Sequence, residues 1–346
     1  MNKYDKEFKT FKEQKKLLQD IYNLKFINET EAEHYLANFP YYNIINGYQE
    51  YFRIDGKYNE ITLEHLINIY LLDKSFLAII LKYITIVEDN FKHKMGYVIS
   101  SKGYDYVSSK VYLNKSDKIL YNKIPKSSVI DILKSTTKQP KYNPTLYYKE
   151  NHNHIPIWIL FKNIFFKNTI EYFKLLNSNI KIEIISLFNF YDSIHFNFNS
   201  NKKINGKKIN DKKIEVFQNC LETLKEYRNC IVHNNKVFKY TVKKTISINL
   251  NLFKGDLINV LKNDNHTSGD LYSCILSIIL LLEHPLLISN FIIDLTNVLT
   301  LTSEDLVNTY LNMYSLPINF INILENVNEY FKKVETKNGK LKGFVK

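Results

Sequence analysis

The chain has 346 residues, of which 45% are apolar, so it has ample material for a hydrophobic core and is not disordered throughout. Its 47 basic residues against 35 acidic ones give a net charge of +12, which favours a polyanionic partner. Three cysteines without zinc-ligand spacing exclude a disulfide framework, and the amino-terminal residues lack an export signal. We therefore expect a reduced, cytoplasmic protein that does not span a membrane.

The basic residues are 45 lysines and only two arginines, Arg53 and Arg228. In such a chain lysine supplies positive charge wherever charge alone is sufficient. A retained arginine is then expected to be needed for its planar, bidentate guanidinium group.

Apolar residues recur at spacings of three and four, and only nine glycines and seven prolines interrupt the pattern, which predicts an all-α fold. In chain order the pattern predicts helices over residues 6–24, 30–39, 62–99, 116–133, 157–176, 214–233 and, as an apolar pair, 271–299. Residues 245–252 alternate like a strand, which is compatible with a short β-hairpin near 240–252. We expect a helical domain over 1–240 and a helical extension with a basic tail over 241–346.

A lysine-rich segment, NKKINGKKINDKK, precedes the helix predicted over 214–233. Its three Lys-Lys pairs, together with Asn and Gly, predict an exposed basic loop over 201–213. The loop is either ordinary solvated surface or part of an RNA-binding face. Its candidate RNA-binding residues are Lys202, Lys203, Lys207, Lys208, Lys212 and Lys213.

The helix predicted over 214–233 ends in EYRNCIVHNN, where Arg228, Asn229 and His233 form the pattern R-N-x-x-x-H. The apolar stripe of this helix runs through Arg228, so we expect its guanidinium to be paired or to line a cleft. His233 lies about 140° around the helix from Arg228. The two side chains therefore converge only if the helix frays at its end or if a second copy of the motif faces the first. Asn234 and the following Asn favour fraying, and a buried structural pair is the alternative.

Other candidate sites have simpler interpretations. Glu88 lies one turn from an apolar residue on the helix predicted over 62–99, which predicts a half-buried ion-pair partner, with Arg228 as a candidate. His152 and His154 lack a third ligand, so we expect loop histidines and not a metal site. No metal and no cofactor is expected. Five aromatic residues of YYNIINGYQEYF either stack on bases or pack in the core: Tyr41, Tyr42, Tyr48, Tyr51 and Phe52.

The R-N-x-x-x-H pattern at a helix end resembles the HEPN nucleases. Four blocks in the same order resemble the Abi-like proteins of bacterial abortive infection, specifically the AbiD and AbiF group: YYNIINGYQEYF, IVEDNFKHKMGYVIS, PIWILFKNIFFKNTIEYFKLL and LKEYRNCIVHNN. The resemblance covers about residues 36–236. The third block carries FKN where the family usually has a carboxylate and a glycine, so no role is transferred to that segment.

The resemblance implies a metal-independent endoribonuclease toxin in which Arg228 and His233 act on RNA and Asn229 orients them. Its products are a 2′,3′-cyclic phosphate and a 5′-hydroxyl. It also implies a homodimer and restraint by a structured noncoding RNA, with a protein antitoxin as an alternative; no DNA partner is expected. The competing hypothesis is a catalytically inactive Abi-like RNA-binding protein that acts by sequestration.

Overall fold

The computed structural model describes residues 6–102, 128–188, 209–243, 267–282 and 284–337. Within these ranges the chain forms fourteen α-helices and one two-stranded sheet, which confirms the predicted all-α fold. The sheet is a short hairpin over residues 53–58 and not the one predicted near 240–252. The segment with strand-like alternation, 245–252, lies outside the described residues.

The first two helices are shorter than the sequence pattern predicts. Helix α1 covers Phe11–Asp20, although the predicted range was 6–24, and α2 covers Ala32–Asn38. Thr10 fixes the start of α1 because it forms a capping box with Glu13, whose carboxylate accepts the Thr10 amide hydrogen at 2.7 Å.

A π-helix over Tyr42–Asn46 leads directly into α3, Gly47–Phe52. The hairpin follows, with β1 at Arg53–Ile54 pairing antiparallel to β2 at Lys57–Tyr58. Asp-Gly at residues 55–56 makes the turn with positive φ at both positions, 48° and 79°, as a tight two-residue hairpin requires.

Helix α4, Leu63–Ser101, is the central element of the fold and is 39 residues long. Thr62 caps its start by accepting the His65 amide hydrogen at 3.1 Å. One side of α4 faces the core, and the apolar residues that recur there are all buried. They are Leu66, Ile69, Leu77, Ile80, Ile84, Phe91, Met95 and Val98.

Five short helices follow: α5 Ser128–Lys138, α6 Thr145–Asn151, α7 Ile157–Leu160, α8 Phe166–Leu175 and α9 Ser178–Ser186. The single helix predicted over 157–176 is therefore wrong, because a 3₁₀ turn at Phe161–Asn163 and an extended Ile164 separate α7 from α8. The Asn163 side chain donates to the Tyr142 carbonyl at 2.6 Å, which ties this break to a distant loop.

Helix α10 covers Ile209–Val232, so the predicted basic loop is helical over its last five residues. Lys212 and Lys213 are half-buried rather than exposed, and Lys212 forms an ion pair with Glu215 at 3.1 Å. The predicted loop is wrong there because an i,i+3 pair stabilises one more helical turn. Lys202, Lys203, Lys207 and Lys208 lie outside the described residues.

The carboxy-terminal part consists of α11 Leu271–Leu282, α12 Pro285–Thr300, α13 Glu304–Met313 and α14 Phe320–Lys337. The apolar pair predicted over 271–299 is thus confirmed as α11 and α12. Every residue of α11 is buried, and this helix packs against both α4 and α10. Across the described ranges, the longest apolar helices remain too short or too polar to cross a bilayer.

Candidate active site

An aromatic cluster fixes the middle of α10, the helix that carries the R-N-x-x-x-H pattern. The fully buried Phe217 ring lies 6.0 Å from Phe91, 5.5 Å from Phe173 and 5.0 Å from Phe188, measured between ring centroids. These edge and tilted contacts are the favoured geometries for aromatic pairs. The cluster holds α10 against α4, α8 and the end of α9.

Tyr227 fixes the end of α10. Its buried hydroxyl lies 3.0 Å from the carbonyl oxygen of Tyr240 and 3.2 Å from that of Gly269, which both accept its hydrogen. Gly269 has φ +90°, and a Cβ there would approach the Val242 carbonyl oxygen to 2.4 Å, so only glycine fits. The last turn of α10 is therefore anchored to the segment that follows it and to the residues just before α11.

Helix α10 ends in a closed cap. The Asn234 amide donates to the Ile231 carbonyl at 3.0 Å, and the Asn235 amide donates to the Cys230 carbonyl at 2.9 Å. With φ +54° at Asn234, this is a Schellman motif in which His233 is the C-cap residue. The two asparagines end the helix as the sequence predicts, but the fraying expected there does not occur.

Arg228 lies at the border of the core and not within it. Tyr227 and Cys230 take the buried positions of the last turns, whereas Arg228 and Ile231 are half-buried, so the predicted core-facing stripe is displaced by one residue. The Arg228 Nη1 atom donates to Oδ1 of Asn229 at 3.3 Å. Its Nε atom is buried and has no hydrogen-bond partner among the described residues. Its guanidinium therefore keeps unused hydrogen-bonding capacity at the end of α10.

His233 is exposed, and its imidazole forms no hydrogen bond within the described part of the chain. Its amide donates to the Asn229 carbonyl at 3.1 Å, so the backbone stays helical from Arg228 to His233. The divergence of about 140° between these two side chains is thus retained. One copy of α10 brings Asn229 to Arg228 and places His233 one turn beyond Asn229, but the helix does not bring His233 to Arg228.

Glu88 is an ion-pair partner, but not of Arg228. It pairs with Lys92, one turn further along α4, and both side chains are largely buried. The hypothesis of a Glu88–Arg228 pair is wrong, because the nearer lysine already neutralises this carboxylate. The neighbouring Asp89, about 100° around the helix, accepts from Lys162 at 3.1 Å.

A cleft of about 180 Å³ opens beside the end of α10, between the π-helix and the first half of α4. We call it the helix-end cleft. Its lining residues include four aromatic side chains, three asparagines, two lysines and one carboxylate. They are Tyr42, Tyr48, Tyr70, Phe238, Asn43, Asn234, Asn235, Lys74, Lys236 and Asp73. The cleft was not predicted from the sequence, although five of its lining residues, 234–238, directly follow His233.

Asp73 forms the closed floor of the helix-end cleft. Its carboxylate accepts hydrogen bonds from the hydroxyls of Tyr48 at 3.0 Å, Tyr310 at 3.0 Å and Tyr314 at 2.7 Å. Burial raises the pKa of Asp73 above its ordinary value, although the three tyrosine donors oppose that rise. This buried network joins α13 to α4 and α3 directly beneath the end of α10.

The five aromatic residues that could either stack on bases or pack in the core differ in their surroundings. Tyr48 and Phe52 are buried and belong to the core, and burial raises the pKa of the half-buried Tyr41 to about 12. Tyr51 is partly exposed and packs edge-on against core rings. Tyr42 is 70% exposed on the edge of the helix-end cleft, so among these residues it is the one with a ring face open to a ligand.

The second arginine has a structural explanation. The Arg53 guanidinium lies 4.0 Å from the Tyr22 ring centroid and 4.7 Å from that of Tyr58, and its Nη1 donates to Gln49 at 3.0 Å. A planar cation can stack on two rings while it keeps its in-plane hydrogen bond, which lysine cannot do.

The described residues contain no group of three His, Cys, Asp or Glu side chains disposed to hold a metal ion. His152 and His154 are both exposed, and the His154 Nδ1 atom lies 2.8 Å from the Asn153 side-chain oxygen. They occupy a loop after α6, as the sequence predicts.

The family model for Abi-like proteins matches residues 34–239. The chain belongs to the Abi-like protein family. The match spans the π-helix, α4, α10 and all thirteen residues that line the helix-end cleft, and it ends before α11. Neither the curated proteins nor the solved structures contain a significant match to this Abi-like protein.

Proposed function

We propose that this Abi-like protein is a metal-independent endoribonuclease that acts as a toxin in abortive infection, with Arg228, Asn229 and His233 as its active site. One observation carries the proposal: an exposed, unpaired histidine caps α10 just beyond a half-buried arginine with an unpartnered Nε. Both residues lie inside the region matched by the Abi-like family. A buried structural pair would instead leave both groups satisfied and in mutual contact.

These residue types suit RNA cleavage by the neighbouring 2′-hydroxyl. His233 accepts the proton of the attacking hydroxyl, and Arg228 stabilises the negative charge of the pentacoordinate phosphorane. Asn229 holds the guanidinium through its side-chain oxygen at 3.3 Å. The bond from phosphorus to the 5′-oxygen then breaks and the leaving oxygen takes up a proton, which yields a 2′,3′-cyclic phosphate and a 5′-hydroxyl.

The proposed active site is completed by a second copy of the chain. Because Arg228 and His233 diverge by about 140° on one helix, a two-fold axis beside α10 is needed to bring the arginine of one protomer to the histidine of the other. Val232 is 47% exposed at this helix end and offers apolar surface for such contact.

The proposed restraint of this toxin is a structured noncoding RNA, as the resemblance to the AbiF group implies. The net charge of +12 is carried almost entirely by lysine, which binds phosphates without reading base edges bidentately. Recognition is then expected to depend on RNA shape and backbone. An acidic protein antitoxin would bind to the same positively charged surface. One defined RNA species that co-purifies with the native protein would favour the RNA over the protein antitoxin.

A second candidate function is RNA sequestration without cleavage. The separation of Arg228 from His233 within one chain favours it, because a monomer would lack a complete active site. The two candidates differ in their products. Purified protein freed of bound RNA is incubated with RNA in EDTA, and the fragment ends are identified. We expect fragments with a 2′,3′-cyclic phosphate and a 5′-hydroxyl; intact RNA, or 5′-phosphate ends, would contradict the proposed nuclease.

A further inference from the structure

We infer that the helix-end cleft binds one unpaired nucleotide of the RNA, with the base between its aromatic and amide side chains and the phosphate at its two lysines. The inference rests on the proposed function only for the identity of the ligand as RNA. It names a binding site that is separate from the three motif residues.

The position of the cleft follows from the cap of α10. The left-handed residue Asn234 turns the chain immediately after His233, and Asn234 and Asn235 then form one wall of the cleft. A nucleotide in the cleft would therefore lie next to the histidine that is proposed to act on the adjoining phosphodiester.

The opposite wall is built by the π-helix. This rare element places Tyr42 and Asn43 at the cleft, and π-helical turns are frequent at functional sites. Tyr42 is 70% exposed. Tyr70 is held edge-on by Phe39 with 6.4 Å between centroids. Exposed aromatic faces are the surfaces on which proteins stack unpaired bases.

The amide groups of the cleft suit the edge of a base. Asn43 and Asn235 line it, and neither side chain has a hydrogen-bond partner within the described part of the chain. An amide offers both a donor and an acceptor, so it can pair with the mixed donors and acceptors of any nucleobase. Asn234 accepts a hydrogen bond from Lys74, which fixes that side chain at the cleft wall.

The charge of the cleft suits a phosphate. Lys74 and Lys236 line it, and Lys236 is partly neutralised by Glu50 at 2.6 Å. Asp73 is the carboxylate among the lining residues, and three tyrosine hydroxyls already occupy its oxygens. The anion is therefore expected near the lysines and the uncharged base near the aromatic side chains of the lining.

The size of the cleft limits the ligand. Its volume of about 180 Å³ is smaller than that of sites for drug-sized ligands, which span roughly 300–1,000 Å³. One ring system fits such a space, whereas a base pair does not. Unpaired bases in loops and single strands are the parts of RNA that can be inserted in this way.

The test measures binding without cleavage. A fluorescein-labelled single-stranded RNA of mixed sequence is titrated with the full-length His233→Ala protein, and anisotropy gives the Kd. Adding Tyr42→Ala should weaken binding about 10-fold, because one stacked base is lost. Tyr42→Trp should retain affinity. The matched control is Tyr142→Ala, since Tyr142 is 71% exposed and lies outside the cleft lining.

A second measurement locates the base directly. RNA containing 4-thiouridine is photo-crosslinked to the His233→Ala protein, and the modified peptides are identified by mass spectrometry. We expect crosslinks at residues 42–43 and 234–238. Unchanged affinity in Tyr42→Ala, an equal loss in Tyr142→Ala, or crosslinks confined to other segments would each overturn the inference.

The outcome is distinguishable from a failure of the proposed nuclease. If RNA binds through Tyr42 but wild-type protein leaves it intact, the nucleotide cleft stands and the sequestration hypothesis replaces the nuclease. If the wild-type protein cleaves RNA but the Tyr42→Ala substitution changes neither affinity nor crosslinking, the nuclease stands and the cleft has no role in binding.

Discussion

The Tyr314 hydroxyl donates a hydrogen bond to Oδ1 of Asp73 at 2.7 Å, although 241 residues separate the two along the chain. Asp73 belongs to α4 within the region matched by the Abi-like family, whereas Tyr314 follows α13 beyond that region. Tyr310 donates to the same oxygen at 3.0 Å. The carboxy-terminal helices are therefore joined to the family region by a buried polar network beneath the end of α10.

Removing one of these donors should destabilise the whole chain. Hydrogen bonds to charged groups contribute about 1.5–3 kcal/mol, so Tyr314→Phe is expected to lower the free energy of unfolding by about 2 kcal/mol. Urea unfolding followed by circular dichroism measures the change. Tyr142→Phe is the control, because Tyr142 is 71% exposed and should tolerate the change. Equal stability of Tyr314→Phe and wild type would show that the network does not join the two parts.

The two arginines should respond differently to lysine. Arg228→Lys is expected to lower RNA cleavage roughly 100-fold, the loss typical of removing one donor to a developing oxyanion. Arg53→Lys should leave cleavage unchanged and lower the free energy of unfolding by about 1 kcal/mol, because stacking on Tyr22 and Tyr58 is weakened. Full activity of Arg228→Lys would show that positive charge alone suffices at that position.

Mixing two inactive variants tests the composite dimer. If each active site takes its arginine from one protomer and its histidine from the other, a mixed dimer of Arg228→Ala and His233→Ala regains one intact site of two. Refolding or co-expressing the variants together should then restore about half the specific activity to the mixed dimers. The separate variants serve as controls. If light scattering shows the mixed sample to be dimeric and its RNA cleavage is not restored, the active site is not shared between protomers.

The lysines of the lysine-rich segment should contribute unequally to RNA binding. Each lysine that neutralises a phosphate steepens the dependence of log Kd on log salt by about 0.7 for single-stranded RNA. Replacing Lys202, Lys203, Lys207 and Lys208 by Gln should flatten this slope. Replacing Lys212 should change it little, because Lys212 is paired with Glu215 at 3.1 Å. Equal effects of both replacements would contradict this difference.

Long-range periodicity made the central helix predictable. A stripe of apolar residues repeated over 39 residues indicates α4 and its buried side, and Thr62 marks its start. The end of α10 was also predictable, because Asn234 readily adopts the left-handed conformation of a helix cap. Both features follow from residue types and from spacings of three or four residues, which can be read directly from the sequence.

Features that depend on distant partners were not predictable in this way. The break at Asn163 depends on the carbonyl of Tyr142, and the partner of Glu88 is decided by which cation lies nearer in three dimensions. The helix-end cleft required the π-helix, α4 and the end of α10 to meet. Its one local signal was Tyr42, an aromatic residue whose exposure the sequence left open.

The proposed nuclease depends most directly on His233. Cleavage of RNA in EDTA is compared among wild type, His233→Ala and His154→Ala, whose histidine is likewise exposed but lies in the loop after α6. We expect His233→Ala to cleave at least about 100-fold more slowly, while its free energy of unfolding changes by less than about 0.5 kcal/mol. His154→Ala should match wild type. Equal cleavage by His233→Ala and wild type would contradict the proposed active site.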